Sequence, residues 1–294
     1  MTICELSEFM LPNDLKSVFA RIPQLNRYSP DDFRITPLAG YTNRNFHLKN
    51  QRFDWVLRIP RAETNPYINR SDEASNAAIA TELGLAPQCV WRDESGLSLS
   101  HTIQHSHCLR RRELDDEQIL TKLMARLGVL HQSKTGFSPP VNLELLLKRY
   151  FDLLGQDQQL ALEADYQSAG EKIESLSPRD ATPVPSHNDL VFENILRDDS
   201  NRIWLIDWEY ASMASPYWDL ATLCNSANLD ELESALLLQI YEQSCARLDI
   251  GVLMDYRFIL GLLTTCWMGV FSELNAGTDR LAAKTRLQAG TTTC

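Results

Sequence analysis

Ser186-His187-Asn188-Asp189-Leu190-Val191-Phe192-Glu193-Asn194, continued by Ile195 to Ile206 and closed by Asp207-Trp208-Glu209-Tyr210, decides how this 294-residue chain is read. Ile195-Leu196-Arg197 and Ile203-Trp204-Leu205-Ile206 are strand-like, and Asp198-Asp199-Ser200-Asn201-Arg202 between them is turn chemistry. An antiparallel hairpin brings its two ends together, so it sets Asn194 beside Asp207. An amide oxygen and a carboxylate at one point suit a hard cation such as Mg2+, which keeps few protein ligands and takes phosphate oxygens for the rest. Asp189, five residues before Asn194, enters the same end and is within reach of a substrate hydroxyl. Phosphoryl transfer needs this set: a carboxylate to orient the attacking hydroxyl and take its proton, and ligands for a metal on nucleotide phosphates.

Working outward, the first third reads as β structure with one helix. Phe33 to Leu38, Asn45 to Lys49 and Asp54 to Ile59 are three strands, the first pair joined by a turn at Gly40. Ser71 is placed as an N-cap, with Asp72 and Glu73 in the first helical turn and a stop at Gly84. Cys89 to Trp91 and Leu97 to Leu99 flank the turn Asp93-Glu94-Ser95-Gly96. From about Asp115 the apolar period becomes helical: Ile119 to Leu130, Leu143 to Leu154, Leu160 to Leu176, Leu229 to Leu248 and Val252 to Leu274. The division predicted is a small β-rich lobe, 1–104, and a larger helical lobe, 105–294.

Composition narrows the classes. Hydrophobic residues make 44% and charged residues 23%, with a net charge of -11, so neither a disordered chain nor a nucleic-acid binder is expected. The seven cysteines, at 4, 89, 108, 224, 245, 266 and 294, include no C-x-x-C pair and read as reduced thiols. Met1 to Leu11 lacks the pattern of a signal peptide, and the apolar run Phe258 to Phe271 is 14 residues, shorter than a membrane span needs. The expectation is a cytoplasmic protein with no membrane insertion. His101, His105 and His107 gather near the expected connector, where backbone meeting an adenine is favoured over a metal site. His131 is read as a hydrogen-bonded structural residue and His187 as a shaper of the Asp189 loop.

The Ser186–Tyr210 island resembles the catalytic and metal-binding loops of the kinase-like aminoglycoside phosphotransferase superfamily. Ile206-Asp207-Trp208-Glu209-Tyr210-Ala211 followed by Pro216-Tyr217-Trp218-Asp219-Leu220-Ala221 is similar to its choline/ethanolamine kinase branch, bacterial type. Leu38-Ala39-Gly40-Tyr41-Thr42-Asn43-Arg44-Asn45-Phe46 resembles the phosphate loop. Val56-Leu57-Arg58-Ile59-Pro60 is similar to the strand carrying the nucleotide-binding cation, and Leu130-His131-Gln132-Ser133 to a helix end of the group.

The resemblance implies an α+β, two-lobed, protein-kinase-like fold with a small antiparallel sheet and one helix in the first lobe. It implies ATP and Mg2+ as cofactors, Asp189 as catalytic base, Asn194 and Asp207 as metal ligands, and Gly40, Thr42, Asn43, Arg58 and Glu73 at the nucleotide. Glu209, Tyr210, Trp218, Asp219, Trp267 and Phe271 fall where the family lines its acceptor, and aromatic faces with carboxylates suit a quaternary ammonium. The expected partner is a small, cationic alcohol, choline or a related amino alcohol. Thr222-Leu223-Cys224-Asn225-Ser226-Ala227 lacks the acid that eukaryotic choline kinases carry there, so thiamine and, after it, an aminoglycoside stay open as acceptors. A nucleotide-binding pseudokinase regulator is the reading from a different class, set against the intact Asp189, Asn194 and Asp207.

Overall fold

The computed structural model describes residues 12–289 apart from residue 41 and residues 62–67, with side chains from residue 14 to residue 272. The chain enters through α1 (Pro12–Arg21) and builds three strands, β1 (Arg34–Leu38), β2 (Asn43–Lys49) and β3 (Asp54–Pro60). Helix α2 (Arg70–Glu82) follows, then β4 (Cys89–Arg92) and β5 (Ser98–His101). These strands form one antiparallel sheet in the order β1-β2-β3-β5-β4. Alternation along β3 buries Trp55, Leu57 and Ile59, and α1 packs against that cluster with Leu15, Val18 and Phe19, joined by Ile22 just past its end. The opposite face carries Val56 and Arg58. The sheet and α1 thus own a core of their own.

The cap of α2 differs from the sequence expectation. Asn69, not Ser71, is the N-cap, and its side chain accepts from the backbone N–H groups of Ser71 and Asp72. Both residues are good caps, and local sequence does not rank them two positions apart. Gly84 ends the helix as expected, with φ of +68°. Its carbonyl accepts from Arg126 and, at 2.9 Å, from Arg202. Leu205 N–H donates to the Leu85 carbonyl at 2.8 Å, and Ala80, Leu85 and Ala86 sit in the core of the larger lobe.

Beyond β5 the connector adds β6 (His107–Cys108), an unanticipated short strand. Next come α3 (Glu117–His131), α4 (Leu143–Asp152), α5 (Gln156–Leu176) and the predicted island: β7 (Val184–Ser186), β8 (Ile195–Arg197), β9 (Ile203–Leu205) and β10 (Ser212–Ala214). Strand β6 pairs with β8, which pairs with β9, and β7 pairs with β10. Helix α6 (Pro216–Ser226) also escaped the periodicity reading, because Tyr217, Trp218, Asp219, Leu220, Ala221, Leu223 and Cys224 are buried all round and leave no polar stripe. Helices α7 (Glu231–Tyr241) and α8 (Ile250–Ala289) complete the lobe.

Helix α8 runs past the 14-residue apolar stretch. Its Ile250–Ser272 segment, mean hydropathy 1.3, is by length and composition capable of crossing a membrane. Here Val252, Leu253, Tyr256, Ile259, Leu260, Cys266 and Val270 on it pack into the large core against α4, α5, α6 and α7. The tail 290–294 lies outside the described residues, as does the start 1–11.

Candidate active site

The island folds as its spacing requires. Ile206 N–H donates to the Asn194 carbonyl at 3.0 Å, closing the hairpin so that Asn194 and Asp207 stand at one end. Asn194 Nδ2 donates to Asp189 Oδ2 at 2.8 Å and to the Asp189 carbonyl at 2.9 Å. The amide nitrogen is thereby committed to Asp189, and the amide oxygen is left to another partner. An amide oxygen beside the Asp207 carboxylate is a donor set that fits Mg2+.

Beside the turn residue Asn201, two residues of this island hold left-handed backbone without being glycine, Asn188 (φ 63°) and Asp207 (φ 66°). Such a conformation persists only when its surroundings over-determine it. Asn188 is held through its backbone and its side-chain nitrogen. Its N–H donates to Asp219 Oδ1 at 2.7 Å, its Nδ2 to the Tyr210 carbonyl at 3.0 Å and Ser212 Oγ at 2.8 Å, and its carbonyl accepts from Trp218 Nε1 at 3.0 Å. Asp219 Oδ2 takes His187 N–H at 2.9 Å and His131 Nε2 at 3.0 Å, while His131 Nδ1 meets the Tyr241 hydroxyl at 2.7 Å. Burial opposes ionisation of Asp219, yet these donors hold its carboxyl below the ordinary value. His187 Nε2 donates to the Ile206 carbonyl at 2.9 Å, and burial lowers its pKa, so it is a neutral structural ring. His131 and His187 therefore occupy the places the sequence suggested.

Asp219 and Trp218 are both buried. Their sequence neighbourhood groups them with an acceptor site, but Asp219 is fully enclosed and Trp218 nearly so, and their polar atoms hold the Asp189 loop from beneath.

Glu209 is buried too. Its side chain, 2% exposed, accepts from Arg58 at 2.6 Å, from Asn43 Nδ2 at 3.0 Å and from Arg70 at 3.4 Å. It belongs to the cationic side of the cleft. No strand periodicity dictates this, because β9 ends at Leu205 and the Asp207 backbone is left-handed; Trp208 is buried against His187.

Arg58 is the hub. One guanidinium nitrogen bonds Glu73, and the other reaches Glu209 at 2.6 Å and Asp207 at 3.1 Å. Burial opposes its charge, but Asp207, Glu73 and Glu209 overcome that and raise its pKa. Glu73 is completely enclosed; burial pushes its carboxyl up, and Arg58, Arg92 and Arg70 bring it down to about 2. Asp189 goes the other way. Burial, Asp207 and Glu209 raise it to about 7, and the bond from Asn194 offsets only part. A carboxyl near neutrality in a cleft is suited to proton transfer.

In the loop between β1 and β2, a Cβ on Gly40 would meet the Asn43 carbonyl at 2.6 Å and Asn45 Nδ2 at 2.7 Å. Only glycine fits. Asn45 Nδ2 donates to the Ala39 carbonyl at 3.2 Å, and Thr42 and Asn43 are buried beside Glu209. Tyr210, half-buried, lies close enough to Asp189, Asp207 and Tyr150 for their charges to bear on its raised pKa, after burial and Glu209. Trp267 and Phe271 stack on α8 with centroids 5.1 Å apart, as the four-residue spacing predicts.

Sequence reading missed Arg70, Arg92 and Asn45. Arg70 stands three residues before Glu73, a spacing that puts both on one helix face and could have been noticed. Arg92 reaches Glu73 at 2.8 Å from another strand and has no local signal. The three histidines stay apart from one another's chemistry: His107 meets Glu113 at 3.1 Å and His105 lies 4.0 Å from Asp199. Among the described residues no group of three or more His, Cys, Asp or Glu side chains is arranged to hold a metal.

A five-stranded sheet whose Arg58 pairs with Glu73 of α2, set over a helical lobe with an Asp–Asn–Asp loop, defines a kinase-like phosphotransferase scaffold. Residues 34–250, well over half of the chain, match the phosphotransferase enzyme family (APH), and the chain belongs to it. Protein LicA of Haemophilus influenzae is 31% identical over 217 residues, which cover 70% of this chain and 62% of that protein. This chain thus spans somewhat under two thirds of that relative's length. The crystal structure of choline kinase LicA from Streptococcus pneumoniae superposes with a TM-score of 0.78 at 23% identity, covering 90% of this chain and 91% of that one. A choline/ethanolamine kinase family protein from Mesorhizobium loti superposes at 0.75 with 25% identity, over 96% and 95% of the two chains.

Proposed function

We propose that this protein is a small-molecule kinase that moves the γ-phosphoryl group of ATP onto the hydroxyl of a small cationic alcohol, choline or a related amino alcohol. The observation that carries the reading is the convergence of Asp189, Asn194 and Asp207 at the hairpin end that faces Arg58. The choline and ethanolamine kinase names among its relatives support the acceptor class. The lobes are assigned as 1–104 for the nucleotide and 105–294 for catalysis and the acceptor; the separate sheet core and the pairing of β6 with β8 support a boundary just past β5.

In the proposed reaction Asp189 accepts a hydrogen bond from the acceptor hydroxyl, directs its oxygen at the γ-phosphorus and takes the proton as the new O–P bond forms and the bond to the leaving ADP oxygen breaks. Arg58, aimed by Glu73, steadies phosphate oxygens, and the Gly40 loop with Thr42 and Asn43 covers them. Asn194 and Asp207 would hold Mg2+, which supplies neutralisation of phosphate charge. Tyr210, Trp267 and Phe271 are the aromatic faces offered to a cationic acceptor.

ADP release with purified protein and MgATP, measured separately with choline, ethanolamine, thiamine and kanamycin, tests this. Turnover with choline or ethanolamine, lost by at least ~1,000-fold in Asp189→Ala with the circular dichroism spectrum retained, is the expected result. Turnover with thiamine or kanamycin alone overturns the acceptor. Nucleotide binding with no turnover on any acceptor, and normal turnover in Asp189→Ala, each overturn the mechanism.

A further inference from the structure

The two buried glutamates of the cleft share two cations. Glu73 takes Arg58 and Arg92 on Oε1 and Arg70 on Oε2, at 2.8 Å for both Arg92 and Arg70. Glu209 Oε2 takes Arg58 at 2.6 Å and Arg70 at 3.4 Å. Arg58 and Arg70 therefore close a four-membered ring of charges with Glu73 and Glu209. The carboxylate side chains are 0% and 2% exposed, and Arg70 is 9% exposed, so water does little to screen any of them.

The ring joins three pieces of the fold. Arg58 comes from β3, Arg70 and Glu73 from the first turn of α2, and Glu209 from the segment after Asp207. Arg70 also has a built seat. Gly96 in the β4–β5 turn lies over its stem, and a Cβ there would approach Arg70 Cδ to 2.8 Å and Nε to 3.0 Å.

Arg58 has a competing demand. Both of its terminal nitrogens are engaged by carboxylates, Asp207 included, and phosphate oxygens would call on the same N–H groups. Nη2 divides its two N–H groups between Asp207 and Glu209, so a bond that nitrogen gives to phosphate is withdrawn from one of those two carboxylates. An enclosed carboxylate that loses its cation is strongly disfavoured. Arg70 is the residue that touches both glutamates and stands apart from Asp207, so it can keep both compensated while Arg58 turns.

Resting on the kinase reading, we propose that Arg70 is a positioning residue for the nucleotide: it holds Glu73 and Glu209 together so that Arg58 is released to the phosphates of a nucleoside triphosphate. The role is one of charge and place, and Arg70 itself need not touch the nucleotide.

The test is calorimetric titration of MgATP into the full-length wild type, Arg70→Gln and Arg70→Lys, with the KM of the acceptor measured alongside. Loss of a charged hydrogen bond corresponds to about tenfold or more in affinity, so Arg70→Gln is expected to raise the MgATP Kd about tenfold and leave the acceptor KM unchanged. Arg70→Lys, which keeps the charge, is expected to recover most of that loss. An unchanged Kd in Arg70→Gln overturns the proposal, as does a loss that Lys does not recover or an equal rise in acceptor KM. If Arg70→Gln fails to fold, Arg70→Lys decides: MgATP affinity within a few-fold of wild type supports the proposal and absent binding overturns it. Absence of MgATP binding by the wild type itself would overturn the kinase reading together with this one, which separates the two failures.

Discussion

Glu73 is an enclosed carboxylate and Asp189 a half-buried one in the same cleft, and their neighbours push them in opposite directions. Asp189 faces Asp207 and Glu209 and rises to about 7; Glu73 faces three arginines and falls to about 2. The stability consequences have opposite signs. A carboxyl raised above its ordinary 3.8 destabilises the fold increasingly between pH 4 and 7 and by a constant amount above that. With a chelator present, Asp189→Asn is therefore expected to raise the melting temperature by a few degrees at pH 8 and to leave it unchanged at pH 4. Equal shifts at both pH values would refute the like-charge account. Glu73 stabilises fully above its ordinary 4.5, and that contribution, on the order of 3 kcal/mol, is lost as pH falls toward 2. The urea-unfolding gap between wild type and Glu73→Gln should be wide at pH 6 and should narrow by pH 3.

At the scale of elements, the caps and turns carry their own tests. Asn69→Ala removes two backbone partners from the start of α2 and is expected to cost about 1 kcal/mol. Ser71→Ala, at an exposed position inside the helix, should stay within ~0.5 kcal/mol. Denaturant titration of both variants separates them, and a larger loss at Ser71 would restore it as the cap. Gly40→Ala drives a methyl into the Asn43 carbonyl and the Asn45 amide. The loop must open, so the KM for ATP is expected to rise about tenfold with little change in melting temperature.

These elements also show where sequence reading stops. The hairpin between Asn194 and Asp207 was legible because its signals lie within 14 consecutive residues: two apolar strands and one polar turn. Helix α6 was not, although Ser215-Pro216 marks its start, because a helix buried on all sides carries no amphipathic period. Strand β6 is two residues long and exists only because β8 is there to pair with it.

Across the whole molecule, α2 belongs by chain order to the sheet and by packing to both lobes. Asn76 Nδ2 donates to the Ala211 carbonyl at 2.7 Å, and Leu85 and Gly84 are tied to the helical lobe. The sheet with α1 is the unit left to move over this base. Hydrogen exchange with MgATP should then slow most in β1 to β3, while the amides at the end of α2 keep the protection they already have. Protection rising equally through α2 would mean that helix and sheet move as one. The net charge of -11 predicts that a cationic acceptor gains from long-range attraction, so its KM should increase with salt. A salt-independent KM would argue for a neutral acceptor.

Sequence by itself determined the chemistry-bearing loop, the strand that carries Arg58, the Gly40 turn between two strands, and the helix that carries Glu73, because each rests on neighbours a few residues apart. Tertiary structure alone decided which carboxylate meets which cation. Glu209, Trp218 and Asp219 stand within 11 residues of one another in the chain, yet the fold sends Glu209 to the arginines and folds Trp218 and Asp219 beneath the Asp189 loop. Arg92 reaches Glu73 from another strand. The reason is physical: periodicity reports which face of an element is buried, whereas charge pairing depends on which elements the fold brings together, and that is written in no short stretch of the chain.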